Sequence, residues 1–124
     1  MTGSQWVSQP VSIDKPWGNE RIFGFVEGLY CGKILTIEAG HSLSLQYHKN
    51  KHETVSVWSG RLSFSVGDDA NSLDLLELGP GDCVELAPGT VHRMEALERT
   101  IVLEVSTSQL DDVVRLDDRY GRAN

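Results

Sequence analysis

Apolar and polar residues alternate with a period of two along most of this chain, the pattern of strands that bury one face. Arg21 to Val26 and Tyr30 to Ala39 read as strands separated by Glu27-Gly28. In the second, Lys33, Leu35 and Ile37 fall on one face and Ile34, Thr36 and Glu38 on the other. After Gly40 the alternation puts Ser44, Gln46 and His48 on one side and Leu43, Leu45 and Tyr47 on the other. Glu53 to Trp58 is a strand closed by Ser59-Gly60, with Arg61 to Val66 as its hairpin partner. Leu73 to Leu78, Cys83 to Leu86, His92 to Ala96 and Thr100 to Ser106 follow, with Gly67 to Ser72, Gly79-Pro80-Gly81-Asp82 and Ala87-Pro88-Gly89-Thr90 as turns.

The ends are less regular. Residues 1–14 are polar and read as a loose arm ending in a short strand, and residues 15–124 as one domain. Lys15-Pro16-Trp17-Gly18 is a turn whose Trp is expected to plug the body, and the tail from Gln109 is a short strand or a single helical turn. Short strands with no helical period predict an all-β fold, a small antiparallel β-barrel or sandwich.

Composition narrows the partners. The 124 residues hold one core but not two domains, and a net charge of −7 argues against nucleic acid and anionic membranes, which both require a basic face. No apolar run approaches a membrane span and the first residues lack a signal-peptide pattern, so a cytoplasmic protein is expected. Cys31 and Cys83 lack CxxC spacing and are expected as two buried, reduced thiols.

Spacing points to a metal. Gln46 and His48 share a strand face, and Glu53 opens the next strand after a four-residue connection, so the three can aim at one point. His92 arrives after the turn Gly89-Thr90-Val91 as a fourth candidate. Such a nitrogen and oxygen set suits a divalent first-row metal rather than a thiolate-bound structural zinc. Zinc is the first expectation, and manganese, nickel, cobalt or iron also fit. A lone histidine is more often structural; the joint placement carries the reading. His41 and His52 are read as solvated loop residues, Trp6, Trp17 and Trp58 as packing or interface residues, and the charged cluster Asp111 to Arg122 as surface.

These residues also carry a resemblance. Gly40-x5-Gln46-x-His48-x4-Glu53-x6-Gly60 resembles the first cupin motif with Gln at its first His, and Gly81-x5-Ala87-x-Gly89-x2-His92-x3-Ala96 resembles the second. Lys15-Pro16-Trp17-Gly18, Ser44-Leu45-Gln46-x-His48, Gly89-Thr90-x-His92-Arg93 and Val114-Arg115-Leu116-x-Asp118-Arg119-Tyr120-Gly121-Arg122 are similar to the cupin domain of type II mannose-6-phosphate isomerases. That family usually reads Gln-x-His-x-His-Arg-x-Glu-His-Trp, where this chain has Asn50, Lys51, Thr54 and Val55 at the second His, the Arg, the last His and the Trp. Its members often carry a nucleotide-transferase domain upstream, and this chain is read as the isomerase part alone.

The resemblance implies a jelly-roll and interconversion of mannose 6-phosphate and fructose 6-phosphate, with a metal stabilising the charge that develops on the sugar oxygens. A small sugar phosphate is the expected partner. Lys33 and Arg115 are the candidates inside the pocket, with Lys51 at its mouth. Another metal-dependent cupin enzyme, a dioxygenase or lyase, and a non-catalytic sugar-binding or metal-sensing module stay open as alternatives. A homodimer is expected through the face bearing Phe23, Phe25 and Leu29.

Overall fold

The computed structural model describes residues 5–123. Its strands are β1 (Val11–Lys15), β2 (Gly18–Val26), β3 (Tyr30–Ile37), β4 (Leu45–Tyr47), β5 (Glu53–Ser59), β6 (Leu62–Gly67), β7 (Leu73–Leu78), β8 (Cys83–Leu86), β9 (Val91–Ala96), β10 (Thr100–Ser106) and β11 (Val114–Asp117). They form two sheets, in the orders β1-β2-β3-β10-β5-β8 and β11-β4-β9-β6-β7, and every pairing is antiparallel. The all-β jelly-roll expectation is met. No helix among the described residues is long and apolar enough to cross a membrane.

The period-two pattern places the core. Leu35, Ile37, Val55, Val57 and Val102 point inward from one sheet, Leu62, Phe64, Met94 and Ala96 from the other, and together they form one buried cluster. Trp17 joins it from the β1–β2 turn at 3% exposure, as the turn predicted. Further along the same inward rows the character changes to Lys33, Glu53, Glu104 and His92, all buried. The sandwich is therefore dry at one end and charged at the other. Register sets this: Glu104 pairs with Lys33 and Val55, whereas Val102 pairs with Leu35 and Val57.

Two local expectations are corrected. Cys83 is exposed rather than buried, because on edge strand β8 it is Leu86 that is buried and Val84 that is half-buried, while Cys83 and Glu85 face out; both cysteines are free thiols. His41 is not simply solvated: its Nδ1 lies 2.7 Å from the Tyr120 hydroxyl and its ring stacks on that tyrosine. Of the two structures expected for the tail, a short strand or a single helical turn, it forms the strand, β11, which pairs with β4. Residues 1–4 of the expected arm lie outside the described residues, and its end is β1.

The β5–β6 turn that anchors Glu53's strand needs a glycine. Gly60 sits at φ +93°, and a Cβ there would stand 2.5 Å from both Arg99 O and Thr100 Oγ1. Gly60→Ala is expected to lower the unfolding free energy by about 2 to 4 kcal/mol in chemical denaturation, because strain and overlap add. An unchanged midpoint and slope would contradict this close packing.

Candidate metal centre

One strand of the first sheet and two of the second converge on a single point. Glu53 opens β5, His92 lies second on β9, and His48 follows the end of β4; their ligand atoms all lie within 4.8 Å of one another and all three residues are buried. His48 Nε2 is 3.1 Å from Glu53 Oε2, and His92 Nε2 is 3.9 Å from Glu53 Oε1. Gln46 is the Cα partner of His92 across β4 and β9, and its Oε1 accepts a hydrogen bond from Ser44 Oγ at 2.6 Å, leaving a second lone pair.

The protonation of the two rings follows from their other nitrogens. His48 Nδ1 donates to the Asp112 carbonyl at 2.5 Å, and His92 Nδ1 donates to the Thr90 carbonyl at 3.0 Å. Carbonyl oxygens only accept, so each Nδ1 carries a proton, and the neutral tautomer of each ring has its free lone pair at Nε2. His48 Nε2, His92 Nε2 and Glu53 Oε2 are buried without a hydrogen-bond partner. Three lone-pair atoms crowded together out of water are unfavourable by about 1–3 kcal/mol each unless a cation sits among them. The donor set fits a divalent metal.

Electrostatics keep the ligands in the forms a metal needs. Burial would raise the Glu53 carboxyl, but the His48 contact and the Lys51 charge outweigh it and hold the group down at about 2. Burial lowers the His92 imidazole against the pull of Glu53, which favours its neutral form.

Lys51 is where the structure departs most from the expected pocket. It is not at the mouth but 6% exposed, with Nζ 3.0 Å from Glu53 Oε2 and 3.0 Å from Glu104 Oε2. Burial disfavours the ammonium, yet the two carboxylates more than compensate and hold it firmly protonated. Lys33 is buried as expected and pairs with Glu20 at 3.4 Å. Arg115 on β11 is the Cα partner of Gln46, so Arg115, Gln46 and His92 form one row across the second sheet.

Lys33, Gln46, His48, Lys51, Glu104 and Arg115 all line one cavity of about 110 Å³. Five Lys or Arg and three Asp or Glu surround it, a positive surplus inside a chain of net charge −7. That polarity suits an anionic ligand. His52 stays outside, its Nε2 hydrogen-bonded at 2.8 Å to Glu85 Oε2 on the exposed side.

Two residues escaped the sequence reading. Glu104 is the lone charge in the apolar strand Thr100–Ser106 and shares the inward period of Thr100 and Val102, a signal that was present. Asp112 lay in a tail read as surface. Its carboxylate accepts hydrogen bonds from the amides of Lys49, Asn50 and Lys51 at 2.9, 2.7 and 2.8 Å, while its carbonyl holds the His48 ring. Burial works against that carboxylate, and the three amides hold it below its ordinary range.

Comparison with known proteins agrees with this architecture. A family model described as "Cupin domain" matches residues 33–106. The chain is similar to the mannose-1-phosphate guanylyltransferase ManC of Salmonella typhimurium, 29% identical over 115 residues that make up 89% of this chain and 23% of that protein. It thus spans about a quarter of that relative's length. Among solved structures, the capsular polysaccharide assembling protein CapF of Staphylococcus aureus superposes with a TM-score of 0.74 at 15% identity, over 91% of this chain and 36% of that one. An oxalate decarboxylase of Bacillus subtilis, in a structure concerned with its Mn(II) centres, gives 0.71 at 20% identity over 88% and 30%. At those identities the structures speak for the fold.

If Asp112 fixes the loop and the His48 ring, its carboxylate matters before any chemistry. Asp112→Ala is expected to weaken binding of Zn²⁺ or Co²⁺ about 10- to 100-fold, measured by chelator competition, with the thermal midpoint of the metal-free protein little changed. Unaltered metal affinity would contradict this role.

Proposed function

Because this chain belongs to the cupin family, we propose that it is a metal-dependent sugar-phosphate isomerase of the mannose 6-phosphate and fructose 6-phosphate type. The observation that carries the reading is the junction of an orphaned His48, Glu53 and His92 donor set with a cavity whose wall is cationic. A relative named for mannose 1-phosphate points to the same substrate class.

Gln46, His48, Glu53 and His92 would hold a divalent metal, zinc first, with manganese the alternative suggested by the Mn(II) centres of the oxalate decarboxylase. Bound there, it would stabilise negative charge developing on two neighbouring sugar oxygens. Arg115, whose Nε is buried without a hydrogen-bond partner, and Lys33 are the groups to meet the phosphate; the fork of Arg115 offers paired donors and Lys33 a point charge.

The departures from the family pattern lie mostly away from the cavity. Asn50 is exposed, Thr54 lies on the outer face of β5 opposite Glu85, and Val55 belongs to the apolar core. Of the four, Lys51 alone lines the cavity. The reaction environment is thus altered at one residue.

The proposal includes a cytoplasmic setting, consistent with two free thiols, and a homodimer. Phe23, Phe25 and Leu29 are 54%, 42% and 68% exposed on the first sheet's hairpin, and a second copy is the occupant proposed for them. A monomeric mass in solution would remove that part.

The decisive assay is conversion of mannose 6-phosphate before and after chelation. The metal-loaded protein is expected to turn over, to lose activity on chelation and to regain it with Zn²⁺ or Mn²⁺. Saturable binding without conversion would make it a binding module, and oxygen consumption with bound iron an oxygenase. Arg115→Ala is expected to raise KM for the phosphorylated sugar at least about tenfold. An unchanged KM would take the phosphate away from Arg115.

A further inference from the structure

An aldose–ketose isomerase must move a proton between neighbouring carbons, and the groups on the cavity wall leave few bases for it. The arginines and lysines there are cations. Asp112 is saturated by three amides, and His48 points its one free lone pair at the metal ligand set. Glu20 and Glu104 remain. In the sheet order β2-β3-β10-β5, Glu20 on β2 is three strands from the β5 strand of Glu53, and it pairs with Lys33. Glu104 on β10 is on the adjacent strand.

Geometry puts Glu104 beside the reacting centre. Lys51 Nζ stands 3.0 Å from Glu104 Oε2 and 3.0 Å from Glu53 Oε2, so the two carboxylate oxygens are at most 6.0 Å apart. A sugar whose two oxygens face the ligand set has its reacting carbons one bond further out, within reach of a carboxylate at that distance. Glu104 is 5% exposed, and its Oε2, although close to Lys51, makes no directed hydrogen bond. A buried ion pair in an otherwise apolar strand is weak support for stability, so its presence asks for another reason.

We propose that Glu104 is the catalytic acid–base group of this site, with Lys51 holding it in place. The inference rests on the isomerase reading above. In the forward step the Glu104 carboxylate takes the proton from the carbon next to the carbonyl. The C–H electron pair becomes the C=C bond of an enediolate, and the carbonyl π pair moves onto its oxygen. The carboxyl then returns the proton to the former carbonyl carbon, and the hydroxyl proton passes to the former carbonyl oxygen as the second C=O forms. No oxidant or reductant is needed. Burial and the Glu53 charge raise the Glu104 carboxyl, with Lys51 and Lys33 pulling back, and this strengthens it as a base.

The test uses the metal-loaded protein with mannose 6-phosphate in deuterium oxide, followed by NMR, beside metal content and thermal unfolding. Wild type is expected to form the ketose with solvent deuterium at the exchanging carbon. Glu104→Gln, equal in size, is expected to keep its metal, its melting midpoint and KM within about threefold, while kcat and deuterium exchange fall at least about 100-fold. An active wild type beside a Glu104→Gln protein within tenfold of its kcat would overturn the assignment and leave the isomerase standing. A wild type with neither conversion nor exchange would overturn both. Should Glu104→Gln fail to fold, Glu104→Asp draws the carboxylate back by one methylene. A kcat at least about tenfold lower with full metal content is then expected, and undiminished kcat overturns the proposal.

Discussion

Two imidazole lone pairs and a carboxylate face each other inside this protein with nothing to separate them but a cation. His48 and His92 each commit Nδ1–H to a backbone carbonyl, so in its neutral form neither ring has a proton left for Glu53. Repulsion among three buried acceptors would open the site were it not offset by Lys51, locked between Glu53 and Glu104. The same arrangement makes the site receptive to a metal. A divalent ion would relieve all three atoms at once, and the neighbouring lysine limits how far Glu53 can swing away.

The rest of the fold serves this constraint. A sandwich whose inward rows were apolar throughout would be more stable, yet here the rows turn polar at one end, where Lys33, Glu104, Glu53 and His92 meet. The dry end, built on Phe64, Leu62, Ile37 and Val102 at essentially zero exposure, supplies the cohesion that tolerates it. Between the two sheets, the segment carrying Asp112 clamps the loop from Lys49 to Lys51 and orients His48 in the same stroke. Rigid strands hold Glu53 and His92, and a hydrogen-bonded loop holds His48, which is a sound basis for fixed metal geometry.

Much of this was legible in the sequence where the cause is local. Thr100–Ser106 and Leu73–Leu78 are bounded by Gly, Ser and charged turns, and their alternation marks their ends. Gln46 and His48 could be paired by period two, and Glu53 and His92 by the turns before them. What escaped depends on partners far along the chain. Asp112 acts on residues more than sixty positions earlier, and no local pattern distinguishes it from Asp111. Lys51 sits in a polar loop that reads as solvent-facing; two carboxylates on separate strands pull it inward. Cys83 was misplaced because its strand is an edge, where the outward half of the alternation faces water.

The most direct test of the central claim is anomalous diffraction from crystals of the protein loaded with Zn²⁺ or Co²⁺, collected at the metal's absorption edge. The account predicts one peak per chain, about 2.0–2.3 Å from Nε2 of His48, Nε2 of His92 and an oxygen of Glu53. A peak elsewhere, or none between these three side chains at full metal loading, would contradict it.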